Sequence, residues 1–337
     1  MPCEHSRNLT STENALNSHT LWSILDCALL VVILCGNTLT VLAIRCSRRL
    51  SNVMSNQFVL SLAISDLLIG LTLPYHMAFY LSDAIGKDKE TCILRFVLLA
   101  LGCSASLCNL IIIAIDRYIS IVHPLHYCRL ITKRVAITMI ATGWCIALML
   151  STMPIYWNNW SANDECDIEH VMAPNYFVYI MLPLFLLLWV AMFVIYWKIW
   201  REAMNQVRRL REINFLHGGG PSDWKSIQVV LLILGSFSIC WLPYMVVACT
   251  ILSGVCTSDT GIGYKAAFSM AMANSCMNPI IYAWKNPEFR QAIKRILHCH
   301  SPNRTLPDPS FITANKISLR TTDTNVDSSE HKMTYDP

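Results

Sequence analysis

Charge is what this sequence has least of. Asp, Glu, Lys and Arg together make up 14% of its 337 residues, where an ordinary soluble domain carries about 25%. Hydrophobic residues make up 54%, and a water-soluble globular fold is excluded on that balance. Catalytic groupings are lacking too. No His-x-x-x-His pair and no plausible dyad falls in register within an apolar run, which argues against an intramembrane enzyme. Beyond Asp66 the apolar runs carry almost no ionisable residue, whereas a transporter or channel needs several along its path, or repeats with broken helices. No cleavable leader is visible: residues 1–19 are polar and the first apolar run is long enough to span a bilayer. Cysteine, by contrast, is plentiful at 15 residues. Most lie inside apolar runs, where the side chain acts as a small hydrophobe and not as part of a disulfide framework.

What is present is length in the apolar runs. Seven of them fall near 20–45, 53–80, 91–115, 133–156, 173–200, 226–253 and 263–284, each able to cross about 30 Å of hydrocarbon as a helix. Basic residues gather on one side of this array, at Arg45, Arg48 and Arg49, at Arg129 to Arg134, at Arg201 to Lys225 and at Lys285 to Arg295. The other side holds only Arg7, Lys87, Lys89, Arg95 and Lys265. The positive-inside rule then places the N-terminus outside and the C-terminus in the cytosol. That orientation makes the sequons at Asn8 and Asn159 accessible for glycosylation and leaves Asn303 facing the cytosol. It also puts Cys3, Cys92, Cys166 and Cys256 in the disulfide-forming compartment.

The expected organisation is therefore an extracellular N-terminus over 1–19, a helical bundle over 20–284, an amphipathic membrane-surface helix over 285–299 and a disordered cytoplasmic tail over 300–337. In the third of these, Phe289, Ile293, Ile296 and Leu297 share one face against basic residues on the other, a pattern suited to lying on membrane lipid. Cys299 follows as a palmitoylation candidate, with an unmodified thiol as the plain alternative. The tail is rich in Ser and Thr and reads as solvated chain.

The most informative stretch runs from Leu99 to Tyr127. It is a long apolar helix that closes on Asp116-Arg117-Tyr118 and continues to Pro124-Leu125. A charged pair at that place belongs where a helix leaves the bilayer, and an interfacial anchor is its plain reading. Other runs add Gly36-Asn37, LAISD ending at Asp66, Trp144, Cys240-Trp241-Leu242-Pro243 and Asn278-Pro279-Ile280-Ile281-Tyr282, in that order. Over residues 20 to 300 this set resembles the rhodopsin-like (class A) G-protein-coupled receptors, and most nearly the adenosine and biogenic-amine neighbourhood, which includes the insect dopamine–ecdysteroid type. The resemblance implies an all-α membrane protein, a seven-helix bundle with a short eighth helix, at the plasma membrane and without enzymatic activity. It implies a small-molecule ligand outside and a heterotrimeric G protein inside, with arrestin and a receptor kinase acting on the tail.

The same resemblance assigns roles. It implies a disulfide between Cys92 and Cys166, leaving Cys3 and Cys256 either paired or free. It places an allosteric sodium ion at Asp66, with Ser106, Asn274, Ser275 and Asn278 around it. Carboxylate and neutral oxygen ligands suit a hard cation, and the plain alternative is a protonated Asp66 in a structural hydrogen-bond network. It makes Arg117 the residue turned toward the G protein, held at rest by Asp116 or by Asp223 at the foot of span six. Trp241 and Pro243, with Pro279 and Tyr282, mark the breaks in spans six and seven that transmit activation. Leu125 is the second-inner-loop anchor and leans toward a stimulatory G protein. Counting eight residues on from Pro183, the tyrosine that supports the active state in the family is replaced by Ala191, with Tyr196 nearby.

For the ligand, the acid that amine receptors carry in span three falls on Leu99, and the opsin lysine on Met272. The segment Cys166 to Tyr179 resembles adenosine receptors, although their stacking aromatic falls on Ile168 and their base-binding asparagine on Ala248. The expected lining is His76, Tyr80, Leu99, Cys103, Ile168, Glu169, Asn175, Tyr179, Tyr244, Met245, Phe268 and Met272. Such a pocket is apolar and aromatic with few hydrogen-bonding groups, which suits a small, largely neutral ligand. An amine or adenosine held by non-standard contacts is the alternative.

Overall fold

The computed structural model describes residues 11–81, 87–161, 166, 168–213, 223–253, 260–300 and 302. Eight helices carry the architecture. They are α1 (Ser11–Cys46), α2 (Met54–Leu81), α3 (Lys89–Val122), α4 (Lys133–Tyr156), α5 (Leu182–Ile213), α6 (Asp223–Leu252), α7 (Thr260–Lys285) and α8 (Pro287–Leu297). Asn8, Cys3, Cys256 and the Ser/Thr-rich tail lie outside the described residues.

Helices are what these sequences must form. In hydrocarbon each backbone N–H and C=O has to be satisfied within its own segment. Six helices combine the length and apolarity of membrane spans. The seventh, α7, has 26 residues, which is about 39 Å of helix and enough to cross. Its polarity comes from Lys265 and from buried Ser269, Asn274, Ser275 and Asn278. Side chains start the helices where the chain turns back: Asp88 accepts from Thr91 N–H ahead of α3, and Thr132 from Val135 N–H ahead of α4. Asn286 caps α8, with Pro287 in its first turn, as first-turn chemistry favours.

At the centre, α3 packs on α2, α4 and α5. The remaining neighbours close the ring, α1 against α2 and α7, and α6 against α5 and α7, while α8 tucks under α1 and α7. Buried Phe58, Leu62, Leu110 and Phe237 fill the interior, and Leu71, Leu187 and Ile239 stay exposed on the outer, apolar face. Phe289 and Ala292 are the buried face of α8.

One element differs from the sequence expectation, and another runs past its apolar stretch. The fifth span does not run as one regular helix; a helical turn at Pro174–Tyr176 leads into a π-helical stretch at Phe177–Met181 before α5 begins. The third span carries regular helix on to Val122, beyond the apolar run, so Asp116-Arg117-Tyr118 is helical.

Close approach of α2 and α3 depends on Gly102. A Cβ there would sit 2.7 Å from Ile69 Cγ1 and 3.3 Å from its backbone nitrogen. Gly102→Val is expected to force the two helices apart at a cost of about 1–3 kcal/mol. The measurement is surface expression and thermal midpoint, with Gly235→Ala as control, since a Cβ there meets nothing within 4 Å.

Candidate functional site

At one end of the bundle the described part of the loop between α4 and α5 is fastened to α3. Cys92 and Cys166 form a disulfide with Cα atoms 5.7 Å apart. Arg95, buried one turn further into α3, donates from Nη1 to the Cys166 carbonyl at 2.9 Å and from Nε to His76 Nδ1 at 2.9 Å. Its guanidinium also lies 4.6 Å from the centre of the Phe79 ring. Cys92, Ile93 and Phe96 pack with Ile168, Val171 and Tyr176 in a small apolar cluster of their own. Arg95 therefore acts within the bundle and not as an outer-loop charge, because its stem is helical and its head is satisfied by the loop backbone and His76.

Below this lid the side chains expected to line a pocket largely converge. His76 stacks on Phe268 with ring centres 4.4 Å apart, and Tyr244 and Tyr264 flank Phe268, each at 6.3 Å. Leu99, Ile168, Met245, Phe268 and Met272 are buried, and Cys103 is half-buried. Trp241 lies under Tyr244 at 6.0 Å, edge to face. Asn175 and Tyr179 do not join them. Both are exposed, Tyr179 at 72%, because the π-helical turn sets Tyr176 and Phe177 inward instead. The side chains of Glu169 and Tyr80 lie outside the described ones. Deeper in, a cavity of about 520 Å³, counting its open side, is bounded by Cys103, Met181, Phe185, Trp241 and Met245, among others.

One buried acid escaped the sequence reading. Asp26 of α1 is 4% exposed and accepts from Ser269 Oγ of α7 at 2.9 Å. Its position inside the first apolar run was the available signal. The span interiors are thus less bare of charge than their composition implied.

At mid-bundle Asp66 is fully buried. Ser106 and Ser275 each donate to its Oδ1 at 2.9 Å, and Asn278 Nδ2 donates to Oδ2 at 2.8 Å. Asn274 is buried in the same helix, and Asn37 ties α1 to this region by donating to the Ser275 carbonyl at 3.1 Å. Three helices thus converge on one carboxylate. With its two hydroxyls it is an all-oxygen donor set of the kind a hard monovalent cation accepts.

At the opposite end of the bundle Asp116 is fully buried and Arg117 pairs with it at 3.4 Å. Ser55 Oγ donates to Asp116 Oδ2 and Tyr127 OH to Oδ1, both at 2.7 Å. Neither partner was legible in the sequence, since Ser55 comes from the start of α2 and Tyr127 from a short loop helix. The side chain of Asp223 lies outside the described ones, so the ion pair found for Arg117 among the described residues is with its own neighbour. Tyr118 packs edge-on to His123, and Leu125 is 93% exposed nearby. Pro243 and Pro279 sit inside α6 and α7, where each removes a backbone donor.

The register of α5 turns Tyr196 inward and leaves Ala191 half-buried. Its inward face runs through Phe185, Met192, Tyr196 and Ile199, all buried. Tyr196 therefore reaches the interior where Tyr282 also points; neither hydroxyl has a hydrogen-bond partner among the described residues.

Burial, with the Asp116 carboxylate beside it, pushes the Tyr127 hydroxyl up from 10.0 to about 12, against the lowering effect of Ser55. A raised value means that the folded protein keeps this proton longer than the unfolded chain. Its stabilising share is complete below pH 10 and is lost as pH rises toward about 12. Tyr127→Phe is expected to cost about 1.5–3 kcal/mol, the range for a hydrogen bond to a charged group, and to remove that part of the alkaline loss. Thermal midpoints of both proteins between neutral and alkaline pH check this; identical curves would show that the bond carries no weight.

Comparison with known proteins gives this geometry its family. Residues 36–282 match the family described as 7 transmembrane receptor (rhodopsin family). The chain is 32% identical over 311 residues to a D(5)-like dopamine receptor of Takifugu rubripes, covering 81% of this chain and 66% of that one. It is 31% identical over 305 residues to the human histamine H2 receptor, covering 87% and 81%, and 27% identical over 303 residues to an alpha-1A adrenergic receptor of Oryzias latipes, covering 79% and 64%. With its disulfide-tied outer loop, buried mid-bundle aspartate and Asp-Arg-Tyr foot, this chain belongs to the rhodopsin family of seven-transmembrane, G-protein-coupled receptors, near the biogenic-amine receptors, as a multi-pass membrane protein with no enzymatic role.

Proposed function

We propose that this receptor takes a small, largely uncharged ligand among the outer halves of its helices and signals through the face around Arg117. One observation carries the reading. Leu99, buried on α3, stands where amine receptors carry an acid, and the Arg95 cation lies one turn above it on the same face. An ammonium ligand there loses a charge-assisted contact of about 1.5–3 kcal/mol and meets a fixed positive charge.

The relatives named for dopamine and histamine favour a second reading, a biogenic amine held away from Leu99. Asp26 or Glu169 would then supply the anion. A panel of neutral and protonated ligands read by cyclic AMP and calcium separates the two. Neutral ligands are expected to act at concentrations about ten-fold or more below amines. Leu99→Asp is expected to weaken the neutral response by burying an unpaired charge. Nanomolar action of an amine, unimproved by Leu99→Asp, would reverse the assignment.

Several finer assignments belong to this reading. The N-terminus is extracellular, with glycans on Asn8 and Asn159, and Cys299 is palmitoylated at the end of α8 on the membrane lipid. The tail takes a receptor kinase and arrestin, and Leu125 anchors a heterotrimeric G protein, preferentially a stimulatory one. Asp66, with Ser106, Asn274, Ser275 and Asn278 around it, holds a sodium ion, which favours the resting bundle. Replacing an organic cation by sodium at constant ionic strength is expected to lower agonist affinity, because the ion and the agonist prefer different states. Asp66→Asn is expected to abolish that dependence. Equal sodium sensitivity in the variant would leave Asp66 a structural acid.

A further inference from the structure

The upper and the deeper parts of the bundle interior are built differently. Above the pocket, the disulfide-tied loop buries Ile168 and Val171 against α3, and the stacked His76, Phe268, Tyr244 and Tyr264 fill the space beneath. The deeper cavity has a different outlook. Its floor is made of buried Phe185, Trp241 and Met245, while Leu150, Leu184 and Leu188 at its edge are only half-buried. Those three leucines come from α4 and α5, which both pack on α3 and touch one another little. The residues next to them on the outer surface are Met149, Leu187 and Val190, 60%, 64% and 48% exposed. That surface faces hydrocarbon in a membrane-spanning bundle, so the mouth opens into lipid.

Chemistry of the lining fits such a position. None of its residues is charged; the polar groups are the Ser104 hydroxyl, the Trp241 indole N–H and the thiols of Cys103 and Cys108. The space within it that water-sized groups can reach is about 60 Å³, so the cleft is narrow. An empty apolar cavity is costly, and water gains few hydrogen bonds in one. The π-helical stretch adds a structural cause. It ends at Met181, on the cavity wall, and such interruptions of a regular helix are frequent at functional sites.

We infer that the gap between α4 and α5 is a side entrance through which an uncharged, membrane-dissolved molecule passes from the bilayer into the cavity and comes to bear on Trp241 and Met245. This deepens the uncharged-ligand reading and rests on it for the link to signalling; the entrance itself rests on the cavity. An occupant would touch α6 at Trp241, close to its proline, so that filling or emptying the cavity biases the helix that must move for signalling.

The test uses the full receptor in phosphatidylcholine nanodiscs and two diazirine photoprobes, a long-chain fatty alcohol and a sterol. Labelling is mapped on peptides and competed with the unlabelled parent compound. Saturable labelling on the segments around Cys103–Cys108 and Met181–Leu188 is expected, falling about ten-fold in Leu150→Trp and Leu184→Trp. Leu187→Trp, of equal bulk on the neighbouring outer face, is expected to retain it. Leu184→Phe serves as a milder plug if a tryptophan variant does not fold, as judged by its thermal midpoint. Labelling by one probe only assigns an acyl chain or a ring system to the same entrance. Labelling that never saturates, spreads over Met149, Leu187 and Val190, or survives every plug overturns the proposal. An amine agonist together with saturable, plug-sensitive labelling would sink the uncharged-ligand reading and leave the entrance standing. A neutral agonist together with labelling that survives every plug would do the opposite.

Discussion

A carboxylate cut off from water must receive its hydrogen bonds from its neighbours, and the bundle is arranged around one that does. Asp66 takes donors from α3 and α7 while belonging to α2, so three helices share a single polar centre. Apolar packing alone gives helices in lipid little reason to prefer one rotation over another, since lipid tails compete for the same contacts. The polar centre supplies the preference. Asn37 extends it to α1 through the Ser275 carbonyl, and Trp144 brings α4 to α2 by donating to Ser61 at 3.0 Å. Close glycine contacts then become possible, Gly102 on Ile69 and Gly36 on Pro279, where van der Waals packing adds what hydrophobicity cannot.

The same economy recurs at both ends. Outside, the Arg95 charge is spent on a loop carbonyl and a histidine ring. Inside, Asp116 is shared among Arg117, Ser55 and Tyr127. Each charged group is thereby matched within the protein, and the apolar surface between the two ends is free to face lipid.

Much of this was legible in the chain. The apolar runs located every span, because a helix crossing hydrocarbon leaves a signature of length that needs no partner to be read. Asp66 and its donors were legible as well, since their polarity is anomalous where it stands. Side-chain direction in the fifth span was not. Asn175 and Tyr179 were expected inward from the family resemblance, and both are exposed. The π-helical stretch at Phe177–Met181 interrupts the regular helix there, and no local residue type announces it. Ser55 and Tyr127 stayed hidden for another reason: they are ordinary residues at the ends of other elements, and only the tertiary fold brings them to Asp116. Asp26 could have been found by the rule that singled out Asp66.

The outer lid is fastened to α3 twice through a single residue. Cys166 is bonded through its sulfur to Cys92 and through its carbonyl to Arg95, one turn apart on the same helix. One attachment would be a pivot; two make a bracket. The loop that carries Ile168 is thereby fixed in angle as well as in place, and it cannot rock open about its disulfide without first unseating a buried guanidinium. A roof of that kind makes the receptor stiff above and leaves its compliance to the flanks.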